Sequence, residues 1–197
     1  MEQFLSAKSW IRKTHEETIR AVESLIENTP LKNTPAEKML EFGFGNGRST
    51  YLLEPYCKKI IGVESGPQEG WRGSAGYKFL KEKVGNKFDA HFLFLKEDIE
   101  NASFHKQDEY DYICFFNVCY DKRFKSYNNI EEIVGDYICN IESIKYMIKN
   151  GGYFYITFAL LPDAKRDYIG GMAKDTCEFM EFIPTDQKNA CLFKIKK

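Results

Sequence analysis

Two acidic residues and three glycines lie close together in one short stretch of the sequence, with the types and spacing of a ligand site. Gly43, Gly45 and Gly47 follow an apolar run at alternate positions, and such glycines let a backbone approach a ligand closely. Glu41 precedes the glycines, and Glu64 ends the next apolar run. These residues indicate a ligand that meets bare backbone on one side and carboxylates on the other.

The spacing of the glycines argues against a nicotinamide dinucleotide. The dinucleotide fingerprint G-x-G-x-x-G places its third small residue three positions after the second glycine. That position is Arg48 here, and the third glycine comes one residue earlier, at Gly47. A carboxylate at Glu41 is awkward beside a pyrophosphate and well placed for a cationic group, while Glu64 can accept both hydroxyl hydrogens of a ribose. The pattern therefore favours a cofactor that carries an ammonium group and a free ribose.

Helix-like and strand-like segments alternate along the chain. The spacing of apolar residues predicts a helix over Ser9–Glu27, and a second helical face runs from Ile130 to Ile148. The short polar link IPTDQKN near the end fits an antiparallel hairpin, because it is too short for a crossover helix. Seven strand-like runs are predicted, at Lys38–Phe42, Lys59–Val63, Ala90–Leu95, Tyr110–Phe116, Tyr153–Ala159, Thr176–Phe182 and Ala190–Ile195.

The order of these segments predicts a Rossmann-like α/β fold. Early strands separated by helices favour parallel units, so we expect a doubly wound, mostly parallel seven-stranded sheet with an antiparallel last strand and helices on both faces. The 197 residues suit one domain, with residues 1–35 as an N-terminal helical cap and residues 36–197 as the core. Ligands bind at the carboxyl ends of the strands in such sheets, where the glycines and Glu64 are expected.

The composition narrows the partners that we expect. Lys and Arg number 28 against 29 Asp and Glu, so a net charge of −1 provides no field for a phosphate backbone, and no nucleic-acid partner is expected. No segment approaches membrane-spanning length, which predicts no membrane partner. The six cysteines form no C-x-x-C pair and are expected to be reduced and mostly buried, as in a cytoplasmic protein. His15, His91 and His105 share no ligand spacing, so no metal site is expected.

Five segments, in order, resemble the motifs of class I S-adenosylmethionine-dependent methyltransferases. LEFGFGNG is similar to their E/D-x-G-x-G-x-G motif, and Glu64 matches the acid of their second motif. LKEDIE resembles the third motif, whose acid is Asp98 here. EYDYICFFN resembles their fourth strand, and IKNGGYFYITF resembles the entry to the fifth. The resemblance covers roughly Lys38 to Phe158 and implies S-adenosylmethionine as the cofactor.

The resemblance also implies the roles of the cofactor-binding residues. The three glycines and the acid before them would surround the methionine portion, Glu64 would bind the ribose, and Asp98 would contact the adenine amino group. Glu97 competes with Asp98 for the adenine contact, and a glycine-rich turn after a strand is often only a turn. The implied set is Glu41, Gly43, Gly45, Gly47, Glu64 and Asp98.

The residues after the fourth strand are candidates for the catalytic site. Motif IV of many amino-methyltransferases reads [D/N]-P-P-[Y/F], and NVCY keeps Asn117 and Tyr120 at the same spacing but lacks both prolines. The side-chain carbonyl of Asn117 would orient an attacking amine, and Tyr120 would wall the site or contact the acceptor. Asn117 fits equally well as a residue that starts a turn.

Two functions remain open from the sequence. The first is methyl transfer from S-adenosylmethionine to a small-molecule acceptor, either anionic or amine-containing. The second is a non-catalytic S-adenosylmethionine-binding or scaffolding protein of the same fold, which the absent prolines would explain. The basic residues of two loops fit either an anionic acceptor or a solvated rim; they are Lys122, Arg123, Lys125, Lys165 and Arg166.

Overall fold

The computed structural model describes residues 16–65, 72–93, 99–116, 132, 134, 141–158 and 178–197. One seven-stranded sheet forms the centre of this part of the chain. The strands within these residues are β1 (Ala36–Phe42), β2 (Cys57–Ser65), β3 (Phe88–Leu93), β4 (Tyr110–Phe115), β5 (Ile148–Thr157), β6 (Met180–Ile183) and β7 (Ala190–Ile195). The helices of the described part include α1 at residues 16–27, α2 (Arg48–Leu53), α3 (Arg72–Lys83) and α4 (Ile141–Met147).

The strands follow the order β3-β2-β1-β4-β5-β7-β6 across the sheet. β1 is central and pairs in parallel with β2 on one side and β4 on the other. β7 lies between β5 and β6 and runs antiparallel to both. The predicted mostly parallel sheet with an antiparallel last strand is therefore confirmed, as is the hairpin between the last two strands.

Apolar side chains are buried on both faces of the sheet, because helices cover both. α1 presents a stripe of buried residues at helical spacing to one face, where α2 and α3 also pack. α4 packs on the other face. The helical residues buried on the first face include Ala21, Val22, Leu25, Leu53 and Leu80. Those buried on the second include Ile141, Ile144 and Met147.

A row of phenylalanine rings crosses one face of the sheet. Phe42 of β1 stacks on Phe115 of β4 with ring centroids 4.8 Å apart. Phe115 meets Phe154 of β5 edge to face at 5.7 Å, and Phe154 stacks on Phe193 of β7 at 5.9 Å. Phe182 of β6 completes the row at 5.8 Å from Phe193. Cross-strand aromatic pairs of this kind stabilise neighbouring strands.

The boundary between α4 and β5 differs from the sequence prediction. The apolar spacing assigned Ile148 to the helical face, but α4 ends one residue earlier and Ile148 begins β5. Ile148 pairs with Tyr110 of β4, and the register then shifts before Tyr112 pairs with Tyr153. A single isoleucine before a glycine pair satisfies both a helical and a strand pattern, so only pairing with β4 decides its state.

Candidate functional site

A loop with three glycines joins β1 to α2 at the carboxyl edge of the sheet. This glycine loop, residues 43–47, has positive φ angles of 74° at Gly43, 51° at Gly45 and 79° at Gly47. Residues with side chains rarely adopt such angles, which explains the three glycines. Gly43 and Gly45 are partly exposed, whereas Gly47 is buried. The loop therefore offers bare backbone to a ligand at its first two glycines.

Short backbone hydrogen bonds hold the glycine loop in place. The N–H of Gly43 donates to the carbonyl of Val63 in β2 at 2.7 Å, and that of Gly47 donates to Phe44 within the loop at 2.7 Å. The first turn of α2 closes on the loop through a 3.0 Å bond from the Tyr51 N–H to the Gly47 carbonyl. The loop is thus tied to the neighbouring strand and the following helix.

Glu64 meets the glycine loop at the end of β2. One of its carboxylate oxygens, Oε2, accepts a hydrogen bond of 2.7 Å from the backbone N–H of Gly45. The residue is buried, with 9% of its surface exposed. The two features that the sequence singled out, an acid after the second strand and glycines after the first, therefore share one edge and touch. A carboxylate placed there can accept hydrogen bonds from the hydroxyl groups of a sugar.

Glu41 faces α2 and is completely buried. Its Oε1 accepts a hydrogen bond from the hydroxyl of Ser49, and its Oε2 accepts one from the hydroxyl of Thr50 at 2.6 Å. Burial raises the pKa of the Glu41 carboxyl from 4.5 to about 7, against the opposing effect of the two hydroxyl hydrogen bonds, and the charge of Glu64 raises it further. The sequence predicted a carboxylate beside a cationic ligand group, and the structure places it in contact with the helix.

Close packing against the loop identifies two further glycines that sequence reasoning missed. A Cβ on Gly76 of α3 would lie 2.0 Å from the carbonyl oxygen of Gly45. A Cβ on Gly62 of β2 would lie 2.6 Å from a ring carbon of Phe44 and 2.7 Å from one of Phe88. No local motif marks either position, because each is defined by contacts with a distant segment.

The buried Gly47 has a packing role of the same kind. A Cβ at this position would lie 2.7 Å from Cγ of Leu80 on α3. Gly47 is also the N-cap residue of α2, with the left-handed backbone noted above. The third glycine of the motif therefore fits the loop against α3, and the first two remain the candidates for ligand contact.

Three predicted site residues lie outside the described residues. They are Asp98, Asn117 and Tyr120, and the basic residues of the two loops lie outside as well. The last described residue before Asn117 is Phe116, which is 5% exposed just beyond the end of β4. The roles of these residues remain predictions.

No group of three or more His, Cys, Asp or Glu side chains among the described residues is arranged to hold a metal ion. No described helix combines the length and apolar character needed to cross a membrane.

Cys57 and Cys114 are buried free thiols. Burial raises the pKa of Cys57 to about 12 and also raises the pKa of Cys114, so neither is a candidate nucleophile.

Solved structures of methyltransferases share this fold. The N-methyltransferase NodS from Bradyrhizobium japonicum WM9 superposes with a TM-score of 0.54 at 15% identity, over 96% of this chain and 98% of that one. NodS in complex with S-adenosyl-L-homocysteine gives a TM-score of 0.55 at 14% identity, over 94% and 87%. The CurJ carbon methyltransferase gives 0.53 at 13% identity, over 92% of this chain and 54% of its own.

Sequence comparisons add no nearer relative. No protein-family model matches the chain, and no curated protein matches it. The chain spans about half the length of the CurJ methyltransferase structure, at 54%. The structural likeness, at identities of 13–15%, is a likeness of fold. The chain has a Rossmann-like fold that these solved methyltransferase structures share.

Proposed function

We propose that this protein transfers a methyl group from S-adenosylmethionine to a small-molecule acceptor. The observation that carries the proposal is the 2.7 Å hydrogen bond between the Glu64 carboxylate and the N–H of Gly45. It joins the acid at the end of β2 to the glycine loop at the end of β1, at the sheet edge where ligands bind in open α/β folds. The same fold in NodS, solved with S-adenosyl-L-homocysteine, supports the choice of cofactor.

The described residues fit the parts of S-adenosylmethionine that they would contact. The partly exposed backbone of Gly43 and Gly45 would receive the methionine portion, and Glu64 would accept the ribose hydroxyls. The glycine spacing departs from the dinucleotide fingerprint, which disfavours a dinucleotide. Asp98 would contact the adenine amino group in this assignment.

The chemistry asks little of the protein beyond positioning. The bound cofactor supplies an electrophilic methyl group on a sulfonium, which is a good leaving group. The chain would contribute orientation and exclusion of water, since in-line displacement depends on the alignment of the reacting atoms. Asn117, the second residue after β4, would orient an attacking amine through its side-chain carbonyl. Tyr120 would form one side of the acceptor site.

An amine is the acceptor that these residues favour. NodS, which shares the fold, is an N-methyltransferase, and that is consistent with an amine acceptor. The basic residues Lys122, Arg123, Lys125, Lys165 and Arg166 would add recognition of an anionic group on the same acceptor. A non-catalytic S-adenosylmethionine-binding protein of this fold is the alternative, because NVCY lacks both prolines of motif IV.

Two measurements test the proposal. Titration calorimetry should show binding of S-adenosyl-L-homocysteine and negligible binding of NAD, and tighter binding of NAD would overturn it. Incubation with methyl-labelled cofactor and a panel of small amines and anionic amines should then transfer label. Cofactor binding without transfer to any member of the panel would favour the non-catalytic alternative.

A further inference from the structure

The contact between Glu41 and α2 closes a ring around the glycine loop. Glu41 is in β1, just before the loop, and Ser49 and Thr50 are the second and third residues of α2, just after it. The two hydroxyl hydrogen bonds therefore span the loop from one end to the other. Any rotation of α2 away from β1 would have to break both, so the pair of bonds limits how far the loop can open.

The position of Glu41 in the sheet keeps its carboxyl away from the ligand side. Its backbone neighbours are Gly62 of β2 and Cys114 of β4, so the residue lies in the centre of the sheet. The residue has no exposed surface, in contrast with the partly exposed Gly43 and Gly45. A ligand ammonium could reach the carboxyl only if α2 moved away, and that movement would remove its two hydrogen-bond partners.

We propose that Glu41 is a positioning residue, whose hydrogen bonds to Ser49 and Thr50 set the glycine loop for the methionine portion of the cofactor. This role rests on the proposed function for the identity of the ligand. It does not require a negative charge at Glu41, because a hydroxyl can donate to or accept from either a carboxyl or a carboxamide. A direct ion pair with the ligand ammonium would require the charge.

Substitutions that separate hydrogen bonding from charge distinguish these two roles. Glu41→Gln keeps the shape and the hydrogen-bonding capacity, and it should bind S-adenosyl-L-homocysteine within about three-fold of the unmodified protein. The double variant Ser49→Ala/Thr50→Val removes both hydroxyls, and it should weaken that binding about 25-fold, since each net hydrogen bond corresponds to roughly a five-fold change. Isothermal titration calorimetry measures both.

A ligand without the amino-acid portion shows whether the effect is local. 5′-Methylthioadenosine keeps the adenosine and lacks the methionine chain, so the double variant should bind it within about three-fold of the unmodified protein. The matched control is Thr29→Val, which removes a buried hydroxyl that donates to the Leu25 carbonyl at 2.7 Å in the segment before β1. Thr29→Val should bind both ligands normally.

Two results would overturn the assignment. If Glu41→Gln loses as much affinity as Glu41→Ala while the double variant binds normally, the charge of Glu41 acts on the ligand. If the double variant loses affinity equally for both ligands, the bonds have only a general structural role.

A measurement without ligand keeps this inference separate from the proposed function. Failure of the unmodified protein to bind S-adenosyl-L-homocysteine would contradict the function, but the glycine loop can still be examined. Amide hydrogen exchange of residues 44–47 should be about ten-fold faster in Ser49→Ala/Thr50→Val than in the unmodified protein or Thr29→Val. Unchanged exchange in the double variant would show that the hydroxyls do not hold the loop.

Discussion

Gly76 of α3 packs against the backbone of Gly45, and the contact leaves no room for a side chain at position 76. A Cβ on Gly76 would lie 2.0 Å from the carbonyl oxygen of Gly45. The obstacle is a backbone atom of the glycine loop and not the end of a flexible side chain, so relief would require α3 or the loop to shift. α3 therefore helps to define the floor of the candidate cofactor site.

Gly76→Ala should destabilise the protein by about 1–3 kcal/mol, which is the usual cost of overpacking. Helix propensity alone predicts the opposite sign, because alanine is favoured over glycine inside a helix by about 1 kcal/mol. Urea denaturation gives the free energy of unfolding. Lys78→Ala, at an exposed position of α3, is the control and should change stability by less than about 0.5 kcal/mol. A more stable Gly76→Ala variant would contradict the contact.

Glu64→Ala should weaken binding of S-adenosyl-L-homocysteine by about 1.5–3 kcal/mol, the scale of hydrogen bonds to a charged group. The substitution removes the proposed ribose acceptor and the bond to Gly45. Calorimetric titration measures the change, with circular dichroism to confirm that the variant is folded. Glu37→Ala removes an exposed acid from the amino end of β1 and is the matched control. An unchanged dissociation constant in folded Glu64→Ala would exclude Glu64 from the site.

The raised pKa of Glu41 predicts a pH-dependent stability. Between its ordinary value of 4.5 and about 7, the folded protein keeps a proton on Glu41 that the unfolded chain has lost. The contribution of Glu41 to the free energy of unfolding should therefore be greatest below pH 4.5 and fall by about 1.4 kcal/mol per pH unit until pH 7. Above pH 7 this contribution is constant.

Glu41→Gln isolates this contribution from other titrating groups. Urea denaturation at pH values from 5 to 8 should show that the stability of the unmodified protein falls relative to Glu41→Gln as the pH rises. A difference between the two proteins that stays constant over this range would mean that Glu41 titrates near its ordinary value.

Asn117→Ala should lower the rate of methyl transfer by about one to three orders of magnitude, the scale for loss of a single transition-state contact. The affinity for S-adenosyl-L-homocysteine should remain nearly the same, because the proposed role of Asn117 concerns the acceptor. Single-turnover transfer of labelled methyl separates the chemical step from binding. Full turnover in the variant would leave Asn117 as a residue that starts a turn, and the case for an amine acceptor would fail.

The sequence predicted the features of the site that depend on strand ends. Glu64 and the glycines each follow an apolar run, and parallel strands bring such positions to one edge without knowledge of any side-chain contact. The direction in which the Glu41 side chain faces could not be predicted in this way. A residue at the end of a strand can face the ligand or the helix that follows, and only the packing of Ser49 and Thr50 decides between these.

The contacts of Gly76 could not be predicted from the sequence for a related reason. Gly76 and Gly45 are distant in the chain, and a glycine in a helix reads as a weak position in any local pattern. Its value comes from the close approach of α3 to the glycine loop. The predicted end of the helix at Ile148 was wrong for a similar reason, because Ile148 pairs with Tyr110 of β4 despite its helical spacing.

The position of β7 also constrains the order in which this sheet can be assembled during synthesis. β7 is the last of the described strands to be translated, yet it lies between β5 and β6. β6 therefore has no hydrogen-bonding neighbour in the sheet until β7 has been synthesised. The ring of Phe182 likewise lacks its contact with Phe193 until then. Until then the edge of β5 that pairs with β7 is unpaired, and an unpaired strand edge is prone to aggregation.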